Sequence, residues 1–168
     1  MIVRLSSPYA FAILCLVYLF STASHSSEFD LVDASITELQ EALEDGRLTS
    51  VHLVERYLSR IEAYDQQGPK LNSILRINPH ALIQAADLDA ERKAQGSRGL
   101  LHGIPLILKD NYSTEGLETS AGSVVMAGFI PSEDATQVKK LKLAGAIVLA
   151  KANMDEFSSS GSGVSSLG

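Results

Sequence analysis

The sequence predicts an α/β protein, and three observations carry that prediction. Two short apolar runs, Ile104–Leu108 and Ala146–Ala150, lack polar alternation, and each is followed by a lysine, Lys109 and Lys151. Unalternating runs of this length suit strands covered on both faces by helices. A helical pattern lies between them, which gives the strand, loop, helix, strand order of a parallel crossover unit. Ahead of both runs stand two amphipathic segments that carry their own start and stop signals.

The first of these begins at Ser35-Ile36-Thr37-Glu38, a capping box in which Ser35 faces Glu38. Ile36, Leu39 and Leu43 form its apolar stripe, and Gly46 serves as the stop. Thr49 or Ser50 caps the second segment. There Val51, Val54, Leu58 and Ile61 follow helical spacing, Leu53, Tyr57 and Tyr64 widen the face, and Gly68-Pro69 ends it. His52, Glu55, Arg56, Arg60 and Glu62 read as its solvated side. Leu71–Ile77 mixes apolar and polar residues and is expected to give a short strand. Asn78-Pro79 starts a third helix with Pro79 at the first helical position, and Ala81, Leu82, Ala85 and Leu88 face inward. Gln95–Gly99 connects to the first apolar run. Val124–Phe129 is expected to form a short helical turn. Pro131–Asp134 then leads into a helix whose inward residues are Ala135, Val138, Leu141 and Leu143, broken by Gly145.

The N-terminus stands apart from this pattern. Arg4 supplies a positive charge, Tyr9–Phe20 is an apolar stretch of 12 residues, and Ser21-Thr22-Ala23 offers small residues at a cleavage site. The stretch is too short for an ordinary membrane span of about 20 residues. Residues 1–23 therefore read as an export signal, 24–34 as a polar tail and 35–168 as the folded domain, secreted or periplasmic, with no stable membrane span once the signal is removed. Cys15, the single cysteine, leaves with the signal, so the mature chain is expected to hold no disulfide.

Composition narrows the function classes. With Lys+Arg 14 against Asp+Glu 20 the net charge is −6, and no basic cluster offers a nucleic-acid surface. His25, His52, His80 and His102 do not pair at metal-ligand spacing, so no metal is expected. His102 reads as a structural hydrogen-bonding residue. Asp155-Glu156 are sequence neighbours and do not suit a pair of carboxylates facing one site. Gly161-Ser162-Gly163 fails as a dinucleotide loop, because the third glycine position holds Ser166.

Lys109 remains. Moved into a low-dielectric site, a lysine loses proton affinity and becomes a base that can activate a serine hydroxyl. The plain alternative is a lysine that reaches solvent from a strand end or pairs with Asp110.

Longer stretches bear on that choice. GLLHGIPLILKDNYSTEGLETSAGS, Gly99–Ser123, closely resembles the lysine-bearing segment of the amidase signature family. AGAIVLAKANMDEFSSSGSGVSSLG, Ala144–Gly168, resembles the same family's next strand and substrate loop. The LxxGxxTSxxLVxxYLxRIxxYD pattern over Leu43–Asp65 is similar in style to its N-terminal helices. The resemblance implies the N-terminal part of an α/β/α fold around a mixed sheet flanked by helices. It also implies cofactor-free hydrolysis of a small-molecule amide by a Ser–cis-Ser–Lys triad. On that implication Lys109 is the triad lysine, Asp110 its supporting acid, and Ser158, Ser159 and Ser160 part of the substrate pocket.

The departure from the family lies in the serines. Its Gly-Ser-Ser-Gly-Gly segment and its later Gly-Gly-Ser nucleophile segment do not occur in this sequence, and Ser165-Ser166 lacks flanking glycines. The 168-residue chain is therefore expected to be inactive alone, as the first third or so of the family's domain. The alternatives are a non-catalytic chain, or a transamidating subunit resembling that of glutamyl-tRNA amidotransferase, against which the export signal argues. Asn111-Tyr112-Ser113 satisfies the N-glycosylation pattern and is expected to stay unused beside the lysine.

Overall fold

The computed structural model describes residues 29–158 and 163–167. Residues 1–23, expected to be an export signal, and Ser159 and Ser160 lie outside the described residues. The elements run α1 (Ile36–Glu44), α2 (Ser50–Arg60), a π turn (Ile61–Gln66), β1 (Ile74–Ile77), α3 (Ala81–Gln95), β2 (Pro105–Lys109), a 3-10 turn (Val124–Met126), α4 (Thr136–Leu143), β3 (Ile147–Ala152) and a last 3-10 turn (Glu156–Ser158). The fold is mixed α/β, as expected.

The local signals act where the sequence places them. Glu38 N–H donates to Ser35 Oγ at 3.3 Å while Glu38 Oε2 accepts from Ser35 N–H at 2.8 Å, which completes the capping box of α1. Two backbone donors that the first turn cannot use are satisfied this way. Thr49, not Ser50, caps α2, accepting from His52 N–H at 3.1 Å. Residues ahead of α1 pack rather than trail: Leu31 is buried beside Leu39, Leu43 and Leu53, and Arg56 donates to the Phe29 carbonyl. Arg56 thus leaves the solvated side assigned to it. In α3 the helix starts at Ala81, after His80 N–H has bonded to Asn78 Oδ1 at 2.9 Å, so Pro79 precedes the first turn instead of occupying it.

The π turn at the end of α2 was not legible in the periodicity. It widens the last turn and brings the Asp65 carboxylate inward, where it is 3% exposed. Asp65 Oδ1 accepts from Ser73 N–H and Oγ–H at 2.6 and 2.5 Å, and Oδ2 accepts from Ile74 N–H at 3.2 Å and Gln66 Nε2 at 2.6 Å. One side chain thereby fastens the helix end to the start of β1.

The sheet has the order β1-β3-β2, with β1 antiparallel and β2 parallel to the central β3. The parallel pairing runs from Pro105 opposite Ile147 to Lys109 opposite Ala152, with α4 in the crossover. Ile147, Val148, Leu149 and Ala150 are all buried, as a central strand requires. β2 differs from the expectation of burial on both faces: Ile107 is 48% exposed and Lys109 is exposed. β2 lies at the edge of the described sheet, so only β3 covers one of its sides, and Leu108 is its one buried residue. Leu143, expected to face inward, is 67% exposed, because α4 turns only Val138 fully to the core.

Three apolar clusters fill the interior, one between α2, α3 and β3, one between α1, α2 and the approach to β2, and one beneath α4. His102 joins two of these regions. Its Nε2 donates to the Leu88 carbonyl at 2.9 Å and its Nδ1 accepts from Arg98 N–H at 3.1 Å, a wholly structural role. Gly145 lies flat against it: at φ +87° a Cβ would sit 2.9 Å from His102 Cα. Gly145→Ala is expected to lower stability by about 2–3 kcal/mol, from left-handed backbone strain plus the clash, read as a drop in the urea midpoint at unchanged m-value. Among the described residues no helix is long and apolar enough to cross a membrane.

Candidate active site

Lys109 is the last residue of β2, and ligands of parallel sheets gather outside the carboxyl ends of the strands. Its exposed side chain places Nζ 3.3 Å from Ser158 Oγ. The structure therefore brings two of the expected site residues together. Phe157 and Ser158 hold φ of +52° and +56°, a left-handed pair with no glycine to relieve it. Strain of about 1–3 kcal/mol per residue persists only where surrounding contacts impose it. Those contacts come from the loop that follows β2: Phe157 N–H donates to the Ala121 carbonyl at 2.9 Å, while Ser165 Oγ and Ser166 N–H donate to the Gly122 carbonyl at 3.1 and 3.2 Å.

Asp110 is 1% exposed and turns its carboxylate beneath that loop. Oδ2 accepts from Ser120 N–H at 2.8 Å, Ser120 Oγ–H at 2.5 Å and Gly122 N–H at 3.4 Å. Oδ1 faces the ammonium of Lys151 at 3.4 Å, with charge opposite but no well-directed hydrogen bond. Asp110 thus bears on Lys109 through the backbone that joins them.

Lys151 is the surprise of the site. It is fully buried, and its Nζ donates to the Tyr112 carbonyl and to Thr119 Oγ1, each at 2.8 Å. Burial pushes the ammonium below the ordinary lysine range, and Asp110 restores only part of that loss. The expensive burial expected at Lys109 falls instead on the lysine one strand away. Its signal was present in the sequence, since the second apolar run also ends on a lysine. What spacing could not show is that β3 is central and β2 lies beside it.

A second lock closes the site's far side. Ser123, fully buried, donates its hydroxyl to Glu156 Oε1, and its Oγ accepts from Val125 N–H at 3.3 Å to cap the short helical turn. Glu156 is therefore engaged by Ser123, and Asp155-Glu156 do not act as a pair. Asn111 is exposed at the rim. An apolar groove of about 580 Å³ runs between α2, the π turn and β2, lined by Tyr57, Tyr64, Leu71, Ile74 and Ile107. Lys109 is not among its lining residues, and the carboxylate of Asp65, which is, already serves Ser73, Ile74 and Gln66.

Comparison with known proteins bears on the same segments. The amidase family model matches residues 52–168. A putative amidase of Schizosaccharomyces pombe is 44% identical over 128 residues, covering 76% of this chain and 21% of the relative. A glutamyl-tRNA(Gln) amidotransferase subunit of Streptomyces coelicolor is 40% identical over 129 residues, covering 76% of this chain and 25% of its own length. Native peptide amidase from Stenotrophomonas maltophilia superposes with a TM-score of 0.72 at 45% identity, over 74% of this chain and 26% of that one. The chain spans a quarter or less of the length of the two curated relatives. With the family model running unbroken from α2 through both lysine-bearing strands, the chain belongs to the amidase family.

Proposed function

We propose that this chain is the lysine-bearing portion of an enzyme that hydrolyses small-molecule amides, with Lys109 as its general base. The observation that carries the reading is the position of Lys109. It ends a parallel strand, its Nζ lies 3.3 Å from a serine hydroxyl, and a buried acid–lysine pair fixes the turn behind it.

In the proposed reaction Lys109 takes a proton, relayed by one serine, from the hydroxyl of a second serine. That oxygen attacks the amide carbonyl; the C–N bond breaks, and the proton returns to the departing nitrogen. Water then attacks the acyl-serine ester, giving its proton back through the same relay and releasing the carboxylate. Backbone N–H groups in a glycine-rich segment stabilise the oxyanion. Both serines and that segment are supplied by sequence beyond these 168 residues. Ser158, Ser159 and Ser160 are assigned to substrate binding in this reading, and no cofactor takes part. We further propose export through residues 1–23.

The test compares this chain with the protein extended to the length of its relatives. The 168-residue chain is expected to turn over no simple amide, and the extended protein to turn over at least one. Lys109→Ala in the extended protein is expected to cut kcat/KM by about a thousandfold or more while preserving the far-UV spectrum and melting temperature. Turnover by the short chain, or full activity in Lys109→Ala, overturns the reading. The 40% identity to a component of a tRNA amidotransferase favours a second reading, transfer of an amide nitrogen to an acyl group on tRNA. Glutamine-dependent amidation of a charged tRNA, with no hydrolysis of simple amides, is the result that selects it.

A further inference from the structure

We propose that Lys151 is a positioning residue for the chemistry at Lys109, acting through Asp110 and the loop that spans residues 110–122; this rests on the reading of Lys109 as the base. A hydrophobic side chain of similar volume would fill the space at less cost, because removal of an ammonium from water is repaid only by good ligands. Direction is what a lysine adds. Three groups converge on Nζ, the Tyr112 carbonyl, Thr119 Oγ1 and Asp110 Oδ1. They come from both arms of a loop whose only ladder contact is the isolated bridge between Thr114 and Leu117.

Two of these ligands, Tyr112 and Asp110, lead to the site in one step. The backbone of Tyr112 is held on both sides: its N–H donates to the Lys109 carbonyl at 3.1 Å, and its carbonyl accepts from Lys151. Asp110 adjoins Lys109, and its other oxygen holds Ser120 and Gly122. Ala121 and Gly122 in turn hold Phe157, Ser165 and Ser166, which sets the strained backbone at Ser158. Lys109 and the hydroxyl it meets are therefore suspended from one buried ammonium. The other charges nearby are already matched. Arg76, opposite Lys151 on β1, makes a paired contact with both Glu118 oxygens at 2.8 Å and feels a lesser attraction from Asp110.

The experiment labels the folded 168-residue chain with acetic anhydride across a pH series and reads each lysine by mass spectrometry. Lys139 and Lys140, both exposed, serve as controls. Lys151→Met is expected to slow the labelling of Lys109 at pH 8 by roughly threefold, because the Asp110 carboxylate, next to Lys109 in the chain, is left without its buried counter-charge. Thr119→Val keeps every charge and withdraws one ligand of Lys151. It is expected to alter Lys109 labelling by about twofold, an effect that position alone can produce. Controls should stay unchanged in both.

An unchanged Lys109 profile in either folded variant overturns the proposal. If Lys151→Met fails to fold, Thr119→Val decides; if neither folds, Lys151 serves folding alone and the proposal fails. The labelling result does not depend on amide turnover. Full activity in the extended Lys109→Ala protein removes the reading of Lys109 as the base, whereas unmoved Lys109 labelling removes only the role of Lys151.

Discussion

Asp110→Ala is expected to destabilise the protein by about 3–5 kcal/mol, the range for breaking a buried ion pair on one side. The loss has two parts. Lys151 keeps its neutral ligands, Tyr112 and Thr119, but its charge remains at 0% exposure without a counter-charge. Ser120 and Gly122 also lose the acceptor of their N–H groups inside a buried turn. Asp110→Asn is expected to cost less, because an amide oxygen still accepts from Ser120. Urea denaturation measures both.

The pH dependence distinguishes this mechanism from a loss of packing. The folded-state pKa of Lys151 lies below its unfolded value of 10.5, because burial outweighs the attraction of Asp110. Between those two values the unfolded chain binds more protons than the folded one, so stability rises with pH through that window. Removal of Asp110 leaves burial unopposed and widens the window downward. The Ala variant should therefore regain part of its lost stability between neutral pH and pH 10, with a steeper rise than the parent. A pH-independent loss would show that Lys151 is not charged against Asp110 in the fold.

Most of the fold was legible because it depends on local chemistry. Ser35 and Glu38 cap α1 through contacts three residues apart, and Ala146–Ala150 needed only an apolar run to mark a buried strand. Strand order was not legible, since it depends on which edges pair at a distance. That single gap moved the burial from Lys109 to Lys151. The candidate site shows the same division. Lys109 and Ser158, which the family resemblance implies as site residues, do meet. Thr119 and Ser120 sit in a stretch rich in Ser, Thr and Gly that carries no period, and Ser123 follows it directly. Their burial, at 6%, 3% and 0% exposure, follows only from closure of the loop over a lysine on another strand.

Asp65→Ala carries the second large effect, about 3 kcal/mol, because two backbone N–H groups and a hydroxyl lose a charged acceptor at a buried corner. Burial by itself would raise this carboxyl, but the bonds from Ser73, Gln66 and Ile74 together outweigh it and hold the pKa below the ordinary 3.8. A carboxyl lowered on folding adds stability that is fully present above the unfolded value and disappears as pH falls through the folded one. Acid unfolding of the parent should therefore extend below pH 3.8, and Asp65→Asn should flatten that limb while leaving the neutral-to-alkaline limb intact. Thermal melts across the acid range up to neutral pH separate the two variants. The consequence for the site is equally specific. Asp65 fixes the start of β1, on the far side of β3 from β2, and none of its bonds reaches the 110–122 loop. Its loss should weaken the protein without moving the labelling profile of Lys109, whereas a shift in that profile would mean that the sheet transmits strain from β1 to the base.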